Sequence, residues 1–363
     1  MFEIIFLIIL VLYFLQILIF IIGATKNYPR LIESELPSVC IIVAARNEEN
    51  NILDCLESLD KLVYPEEKLK VILVDDHSTD RTKEIIDNFI SGRSGFECIT
   101  PSREIGNLKG KANAIANAIE TVTSEVILTT DADCTVSPTW AITLSSYFKE
   151  DVAMVCGYTD QHYKNLFEAM QSVDFIYLLA VAAGTMNLGK PLSCIGNNMS
   201  YRKSVYEEVG GYENIPFSVT EDFQLLMAMH NLKKYKIIYP LDAEGLVTSK
   251  PCENYEQLYW QKKRWGVGGL ESDFAGYSVM TVGFLTHVFM LLVPVFFSMS
   301  ALYILLFKVA LDYFFLKGVH YRLKLEFRIK HFISFELYFI VYVLLLPFML
   351  FFSKKVKWKG REF

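Results

Sequence analysis

Apolar residues fill positions 4–22 without a charge, and they dominate again over 280–316 and 332–352. Between these blocks the pattern changes. Val39-Cys40-Ile41-Ile42-Val43-Ala44-Ala45, Val71-Ile72-Leu73-Val74 and Val126-Ile127-Leu128-Thr129-Thr130 are short, nearly continuous apolar and β-branched runs. Such runs predict strands covered on both faces. They alternate with helical spacing: Ile52, Leu53, Leu56 and Leu59, a segment ending near Phe89 that Ser78 or Thr79 could cap, and residues 112–121. Alternation of strand and helix predicts an α/β parallel sheet. In such sheets ligands bind at the carboxyl ends of the strands.

Residues 4–22 are long enough to cross a hydrocarbon core of about 30 Å. Glu3 stands where a cleaved signal peptide carries basic residues, and no Ala-x-Ala site follows, so the segment is expected to stay as an anchor. Lys26 and Arg30 follow it directly, which places the next domain in the cytoplasm by the positive-inside bias. Residues 280–316 suit two spans turning near Phe297-Ser298, with Pro294 as breaker, and 332–352 suit a third that contains Pro347. Basic residues flank this last segment: Lys317, Arg322, Lys324, Arg328 and Lys330 before it, Lys354, Lys355, Lys357, Lys359 and Arg361 after it. A single span would put the two groups on opposite sides, so either the segment is re-entrant or 280–316 is not a simple hairpin. Trp358-Lys359-Gly360-Arg361 suits an interfacial anchor. Residues 175–188, with Gly184 and Asn187, are short for a span and are expected to be buried or interfacial. The expected organisation is an anchor over 1–25, a cytoplasmic domain over 36–275, C-terminal spans over 278–353 and a basic tail over 354–363. The protein would be a multi-pass protein of the inner cell membrane.

The chain is 52% hydrophobic, which fits one folded domain plus membrane segments. A net charge of −6 gives no sign of a nucleic-acid partner. Seven scattered cysteines with no Cys-x-x-Cys pair fit a reducing compartment better than a disulfide framework or zinc site. His162, His230, His287, His320 and His331 fall in no metal-ligand spacing.

The candidate chemistry is acidic. Asp131-Ala132-Asp133 follows a buried strand, where alternate residues of an extended tip can offer oxygens to one divalent ion. Val74-Asp75-Asp76 ends another strand. In Thr220-Glu221-Asp222 a carboxylate could take a proton from an attacking hydroxyl, or serve only the positive end of the helix that follows. Gln261, Arg264 and Trp265 fall at i, i+3 and i+4 of a helical pattern. A guanidinium there can pair with a diphosphate oxygen, and an indole offers a flat surface to a sugar ring.

Taken in order, these motifs resemble the membrane-bound family 2 glycosyltransferases, whose pattern is Asp, Asp-x-Asp, Asp, Gln-x-x-Arg-Trp. The resemblance runs from about Val39 to Trp265. It implies a GT-A fold between N- and C-terminal transmembrane helices, a nucleotide-diphosphate sugar donor (usually UDP-linked in the family) and Mg²⁺ or Mn²⁺. By resemblance Asp133 is the stronger metal ligand beside Asp131, and Asp75 and Asp76 meet the nucleoside. Ala44, Arg46 and Glu48 fall on the first-strand segment that binds the donor, and Lys111 approaches the nucleotide. Glu221 lies with the substrate, Asp222 is the catalytic base of an inverting transfer, and Gln261, Arg264 and Trp265 bind diphosphate and acceptor. Residues 193–202 resemble a Gly-x-x-x-x-x-Arg segment that lines both pockets. The chain departs from the family at His77, where glycine is usual. Gln-x-x-Arg-Trp points toward polysaccharide synthases, poly-N-acetylglucosamine synthase among them, and toward ceramide glucosyltransferase-like enzymes. The implied acceptor is a membrane lipid or a growing glycan. The spans look few and largely apolar, with Lys308 and Asp312 the only charge pair noted inside them, which favours a single transfer to lipid over a processive synthase coupled to export. An inactive membrane scaffold and a transporter are the remaining alternatives.

Overall fold

The computed structural model describes every residue except Phe217, Val219, Lys354, Lys359, Gly360 and Phe363. In chain order its elements begin with α1 (Phe2–Ala24), β1 (Val39–Ala45), α2 (Ile52–Leu59), β2 (Leu69–Asp75), α3 (Thr82–Ile90) and β3 (Phe96–Ile99). Next come α4 (Gly110–Ile119), β4 (Val126–Asp131), β5 (Thr135–Val136), α5 (Trp140–Ser146), β6 (Val152–Cys156), β7 (Thr159–Gln161) and α6 (Leu166–Met186). Then follow β8 (Met199–Arg202), α7 (Lys203–Glu208), α8 (Glu221–Asn231), β9 (Lys236–Ile238) and β10 (Val247–Ser249). Last come α9 (Tyr255–Gly269), α10 (Phe274–Leu292), α11 (Met299–Arg322), α12 (Ile329–Phe352) and an antiparallel pair, β11 (Lys357–Trp358) with β12 (Arg361–Glu362). These gather into two compact units. One holds Asn27–Asp160 and Cys194–Lys250, the other Met1–Lys26, Gln161–Ser193 and Pro251–Phe363. The sequence alone groups 36–275 together; α6 and α9 instead join the helical unit, because both pack on α12 and α6 also packs on α1.

The first unit is built on a seven-stranded sheet in the order β3-β2-β1-β4-β8-β6-β9. β1 to β4 are parallel neighbours, as their apolar runs predict, and β8 lies antiparallel between β4 and β6. On one face Val39, Ile41 and Val43 of β1 pack with Ile52, Leu56 and Leu59 of α2 and Trp140 and Leu144 of α5. Full burial of each such side chain contributes about 1.5–3 kcal/mol. α4, rich in alanine, packs on β1 and β2. A second sheet, β5-β10-β7, is smaller. The start of α3 differs from expectation: Arg81 holds the capping position without a side-chain cap bond, and the amide of Thr82 is met by Asp80 Oδ1 at 3.0 Å. Ser78 and Thr79 are engaged elsewhere: Asn47 N donates to Ser78 Oγ at 3.1 Å, and Thr79 N to Asn47 Oδ1 at 2.8 Å. These bonds tie the β1–α2 loop to the β2–α3 loop. Both loops turn through left-handed backbone, with φ of 55° at Asn47 and 56° at His77. The glycine-like conformation thus survives at the position where histidine replaces the usual residue.

In the helical unit, side-chain caps set four helix starts. Asn165, Asn254, Asp273 and Ser298 accept from backbone amides of α6, α9, α10 and α11. α10 and α11 are separate helices joined across residues 293–298, near the expected turn, and each packs on α1. α12 runs as one helix through Pro347. Of the expected interfacial tail, Lys359 and Gly360 lie outside the described residues, as does Lys354 before it. α6 begins earlier than the sequence suggested, and the two residues that argued against a long helix have other tasks. A Cβ at Gly184 would lie 2.5 Å from Phe20 Cα, and one at Gly23 would lie 1.9 Å from the Gly184 carbonyl oxygen. The two glycines let α1 and α6 cross with backbones in contact, a device of helices packed in apolar surroundings. Asn187 Nδ2 donates to Gly23 O at 3.0 Å beside that crossing.

Among the described residues five helices are long and apolar enough to cross a membrane: α1, α6, α10, α11 and α12. α6 lies in sequence between β4 and β8, which pair directly. A single crossing by α6 would leave these partners on opposite sides of a bilayer, so length alone misleads there. All five helices contribute to one polar cluster. Lys308 Nζ lies 2.9 Å from both Asp312 and Glu336 and 3.2 Å from His287 Nε2. Tyr13 donates to Asp312 Oδ1 at 2.9 Å and meets the Tyr177 hydroxyl at 3.0 Å. Glu336 corrects the expectation that Lys308 and Asp312 stand alone.

Two outcomes follow for stability, both measurable by unfolding in detergent. Substitution His77→Gly leaves stability unchanged or raises it, whereas His77→Val costs about 1–2 kcal/mol, because a β-branched residue resists left-handed backbone. Equal effects would show that the turn relaxes. Lys308→Met costs about 3–5 kcal/mol by stranding two carboxylates, and much of that returns when Asp312→Asn and Glu336→Gln are added.

Candidate active site

Parallel register sets the site. Ala45 lies opposite Asp75, and Ala44 lies between Val74 and Asp131, so the carboxyl ends of β1, β2 and β4 are level. The residues that follow these strands therefore share one edge. Arg46 Nη1 donates to Asp76 O at 3.0 Å and lies 3.6 Å from its carboxylate. Glu48 is buried, with its amide on Thr82 Oγ1 at 2.7 Å and its carboxylate accepting from Asn51 at 2.6 Å. Asp75, also buried, accepts from Ser78 N at 3.3 Å. Ala44 is half-buried at the same edge.

A second group is centred on Lys111, at the start of α4. Its ammonium lies 2.5 Å from Asp131 Oδ1 and 3.8 Å from Glu221 Oε1. Burial works against that charge. The charges of Asp131 and Glu221, the hydrogen bond to Asp131 and the charge of Asp222 outweigh it and hold the lysine pKa above its ordinary value. Lys111 is therefore a fixed cation among carboxylates. Glu221 and Asp222 form the first turn of α8; Thr220, not either acid, holds the capping position, and Asp222 Oδ1 accepts from Phe223 N at 2.8 Å.

Gly196 joins the two sides. A Cβ there would lie 3.2 Å from Asp222 Oδ2 and 3.4 Å from Lys111 Nζ. Its carbonyl accepts from Thr129 Oγ1 of β4 at 2.8 Å, which fixes the loop to the strand that ends in Asp131. The far end of the same segment has a different task. Arg202 donates to the carbonyls of Val152, Phe148 and Lys149 at 2.8–2.9 Å, so it braces β6 instead of lining a pocket. Behind Asp133, Asn197 and Asn198 form a buried network: Thr159 donates to Asn197 Oδ1 at 2.8 Å and Trp140 Nε1 to Asn198 Oδ1 at 2.9 Å. Gly196, Thr129 and the asparagines carry no sequence signal beyond the six-residue spacing from Gly196 to Arg202.

Asp131, Asp133 and Cys134 bring one ligand atom each within 4.8 Å of one another. Burial, then the charges of Asp133 and Asp131, push the Cys134 thiol up. The carboxylate oxygens of Asp131 and Asp133 are donors of the kind that hard divalent ions such as Mg²⁺ or Mn²⁺ take.

Gln261, Arg264 and Trp265 lie on α9 of the helical unit. There the Trp265 ring stacks on Phe175 with centroids 5.5 Å apart, under the Lys262 ammonium at 4.2 Å.

Residues 40–210 match the family described as glycosyl transferase family 2, and residues 126–353 match glycosyl transferase family group 2. A probable glycosyltransferase of Bacillus subtilis, YdaM, is 26% identical over 67% of this chain and 58% of its own length. A beta-monoglucosyldiacylglycerol synthase of Nostoc is 25% identical over 68% of this chain and 52% of its own. A poly-beta-1,6-N-acetyl-D-glucosamine synthase of Staphylococcus epidermidis is 24% identical over 68% and 58%. The chain thus spans little more than half the length of these relatives. A solved mannosyltransferase from Pyrobaculum calidifontis, in complex with GDP-Man and Mn²⁺, superposes with a TM-score of 0.60 at 17% identity, covering 96% of this chain and 99% of that one. That likeness is one of fold, and it establishes the GT-A type.

Gly196→Ala tests the packing of this site. Its Cβ must displace the Asp222 carboxylate by a few tenths of an ångström. Turnover is expected to fall about tenfold. Unfolding free energy should fall by no more than about 1–3 kcal/mol, the cost of one added methyl in a packed site. Full activity in the variant would show that Asp222 is not held where this geometry puts it.

Proposed function

The chain belongs to the family 2 glycosyltransferases, and we propose that it moves a sugar from a nucleotide-diphosphate donor to a membrane lipid, with inversion at the anomeric carbon. The observation that carries this is the gathering of Asp131, Lys111, Glu221 and Asp222 around Gly196 at the carboxyl ends of the strands. Arg46, Glu48, Asp75 and Asp76, with Ala44 between the strand ends, form the nucleoside side. Asp222 accepts the proton of the acceptor hydroxyl. The hydroxyl oxygen then bonds to the anomeric carbon as the bond from that carbon to the diphosphate breaks, and the electron pair leaves with the nucleotide diphosphate. Lys111 holds Asp131 in place and offsets the surrounding negative charge, so a diphosphate can approach this acidic edge. Asp131 and Asp133 would hold Mg²⁺ or Mn²⁺, whose charge offsets that building on the leaving group. Glu221 takes part in substrate binding. Gln261, Arg264 and Trp265 are proposed, on motif grounds, for diphosphate and acceptor. A UDP-linked donor and a cytoplasm-facing domain in the inner membrane belong to the same proposal.

The relatives include a glycolipid synthase and a polysaccharide synthase at nearly equal identity, so a processive synthase is the second reading. The polar cluster at Lys308 weakens the earlier argument from apolar spans. Its charged groups are nevertheless paired with one another at close range, which does not resemble the lining of an open channel.

Release of nucleotide diphosphate from UDP- and GDP-sugars, measured on the purified protein with lipid extract and Mn²⁺ or Mg²⁺, decides the reaction class. One donor should be turned over only with metal. Asp222→Asn should lower turnover by about 10²-fold or more, and Asp133→Ala should abolish the metal-dependent release. Chromatography of the product separates the readings: a glycolipid carrying one added sugar supports single transfer, and a ladder of long products overturns it. Equal release from wild type and Asp222→Asn removes Asp222 as the base.

A further inference from the structure

Lys262 and Lys263 fill the two unspecified positions between Gln261 and Arg264, and both are buried. Each ammonium lies against a different indole: Lys262 Nζ is 4.2 Å from the Trp265 ring centroid, and Lys263 Nζ is 5.1 Å from that of Trp260. Lys262 differs from its neighbour in having a buried counter-charge. Its ammonium pairs with Asp174 of α6, whose side chain is 0% exposed. The next residue of α6, Phe175, stacks on Trp265 with the two planes 13° apart. Two consecutive side chains of α6 thus grip two residues of α9 that lie three apart, on one face of the helix. Tyr342 of α12 lies 5.2 Å from the same ammonium. Upstream of α9 the chain is fixed to α6 again, where Gln171 exchanges hydrogen bonds with the Cys252 peptide at 2.9 and 3.0 Å.

A buried ion pair is a weak way to stabilise a helix contact, because desolvation consumes most of the attraction and an apolar pair of equal volume packs as well. What the pair adds is direction. The carboxylate fixes the ammonium, and the ammonium fixes the tilt of the indole through the negative face of its ring.

We propose that Lys262 and Asp174 are positioning residues for the sugar transfer, which set the orientation of Trp265 and of the helical turn that carries Arg264. This rests on the role proposed above for Gln261, Arg264 and Trp265. Neither Lys262 nor Asp174 is part of the motif that names those three, so the fixed spacing of that motif does not account for them. The pair acts through Trp265 and does not itself touch the reacting atoms.

The test separates geometry from turnover. The four tryptophans are replaced biosynthetically by 5-fluorotryptophan, and each ¹⁹F resonance is assigned with a Trp→Phe variant. Lys262→Met and Asp174→Asn should each move the Trp265 resonance and leave that of Trp140 in place, while Lys263→Met moves that of Trp260 instead. In the same variants of Lys262 and Asp174, kcat for nucleotide diphosphate release should fall about tenfold, with donor KM changed by no more than about twofold. Lys262→Arg keeps a cation and should recover part of both effects; it also replaces Lys262→Met should that variant fail to fold. An unmoved Trp265 resonance in Lys262→Met and Asp174→Asn overturns the inference. A moved resonance with unchanged kcat overturns it too, by leaving the pair a purely structural role. Absence of turnover in the unchanged protein is a separate result, and it counts against the transfer reaction and not against the orientation of Trp265.

Discussion

Parallel pairing that sets Ala45 beside Asp75 and Ala44 beside Asp131 is the constraint on which the site depends. Once β1, β2 and β4 end level, every residue just past them is delivered to one edge. That edge would be crowded with negative charge. Lys111, brought in at the start of α4, and Gly196, pinned by Thr129, make the crowding tolerable: one supplies a fixed cation, the other the room for Asp222 to sit beside it. The chemistry follows from this arrangement. Asp131, Glu221 and Asp222 lie close about Lys111 and Gly196, and on the function proposed here they would supply the charges that displacement at an anomeric carbon requires.

The helical unit obeys a different constraint. Its helices are too apolar for water and too polar inside to be simple anchors. Close backbone crossing at Gly23 and Gly184, the ionic cluster at Lys308 and the pair between Lys262 and Asp174 are three solutions to one problem, since apolar helices in apolar surroundings gain little specificity from burial alone. Small residues and matched charges supply the register that hydrophobic contact does not.

Much of this was legible in the residues. The strands of the parallel half are continuous apolar runs, and the acids that end them stand out because a turn after a buried strand needs no such density of carboxylates. The break between α10 and α11 could be read from Pro294 and Ser298. What the sequence hid depends on contacts between distant segments. Gly184 and Asn187 look like reasons for a short helix until α1 is seen packed against them. Glu336 looks like an isolated charge in an apolar run until Lys308 is found 2.9 Å away. Arg202 matches a pocket-lining pattern, yet three carbonyls of the β6 region claim it. Ser78 and Thr79 do not cap α3 but bond to Asn47, a contact across two loops that local spacing does not reveal.

The central claim is that the acidic edge with Lys111 at its centre is a metal-dependent nucleotide site. Calorimetric titration of the purified protein with UDP and with GDP, each with and without Mn²⁺, tests it most directly. One nucleotide should bind only when Mn²⁺ is present, and Asp133→Ala should abolish that binding without unfolding the protein. Nucleotide binding of equal strength without metal, or unchanged in Asp133→Ala, would contradict the account.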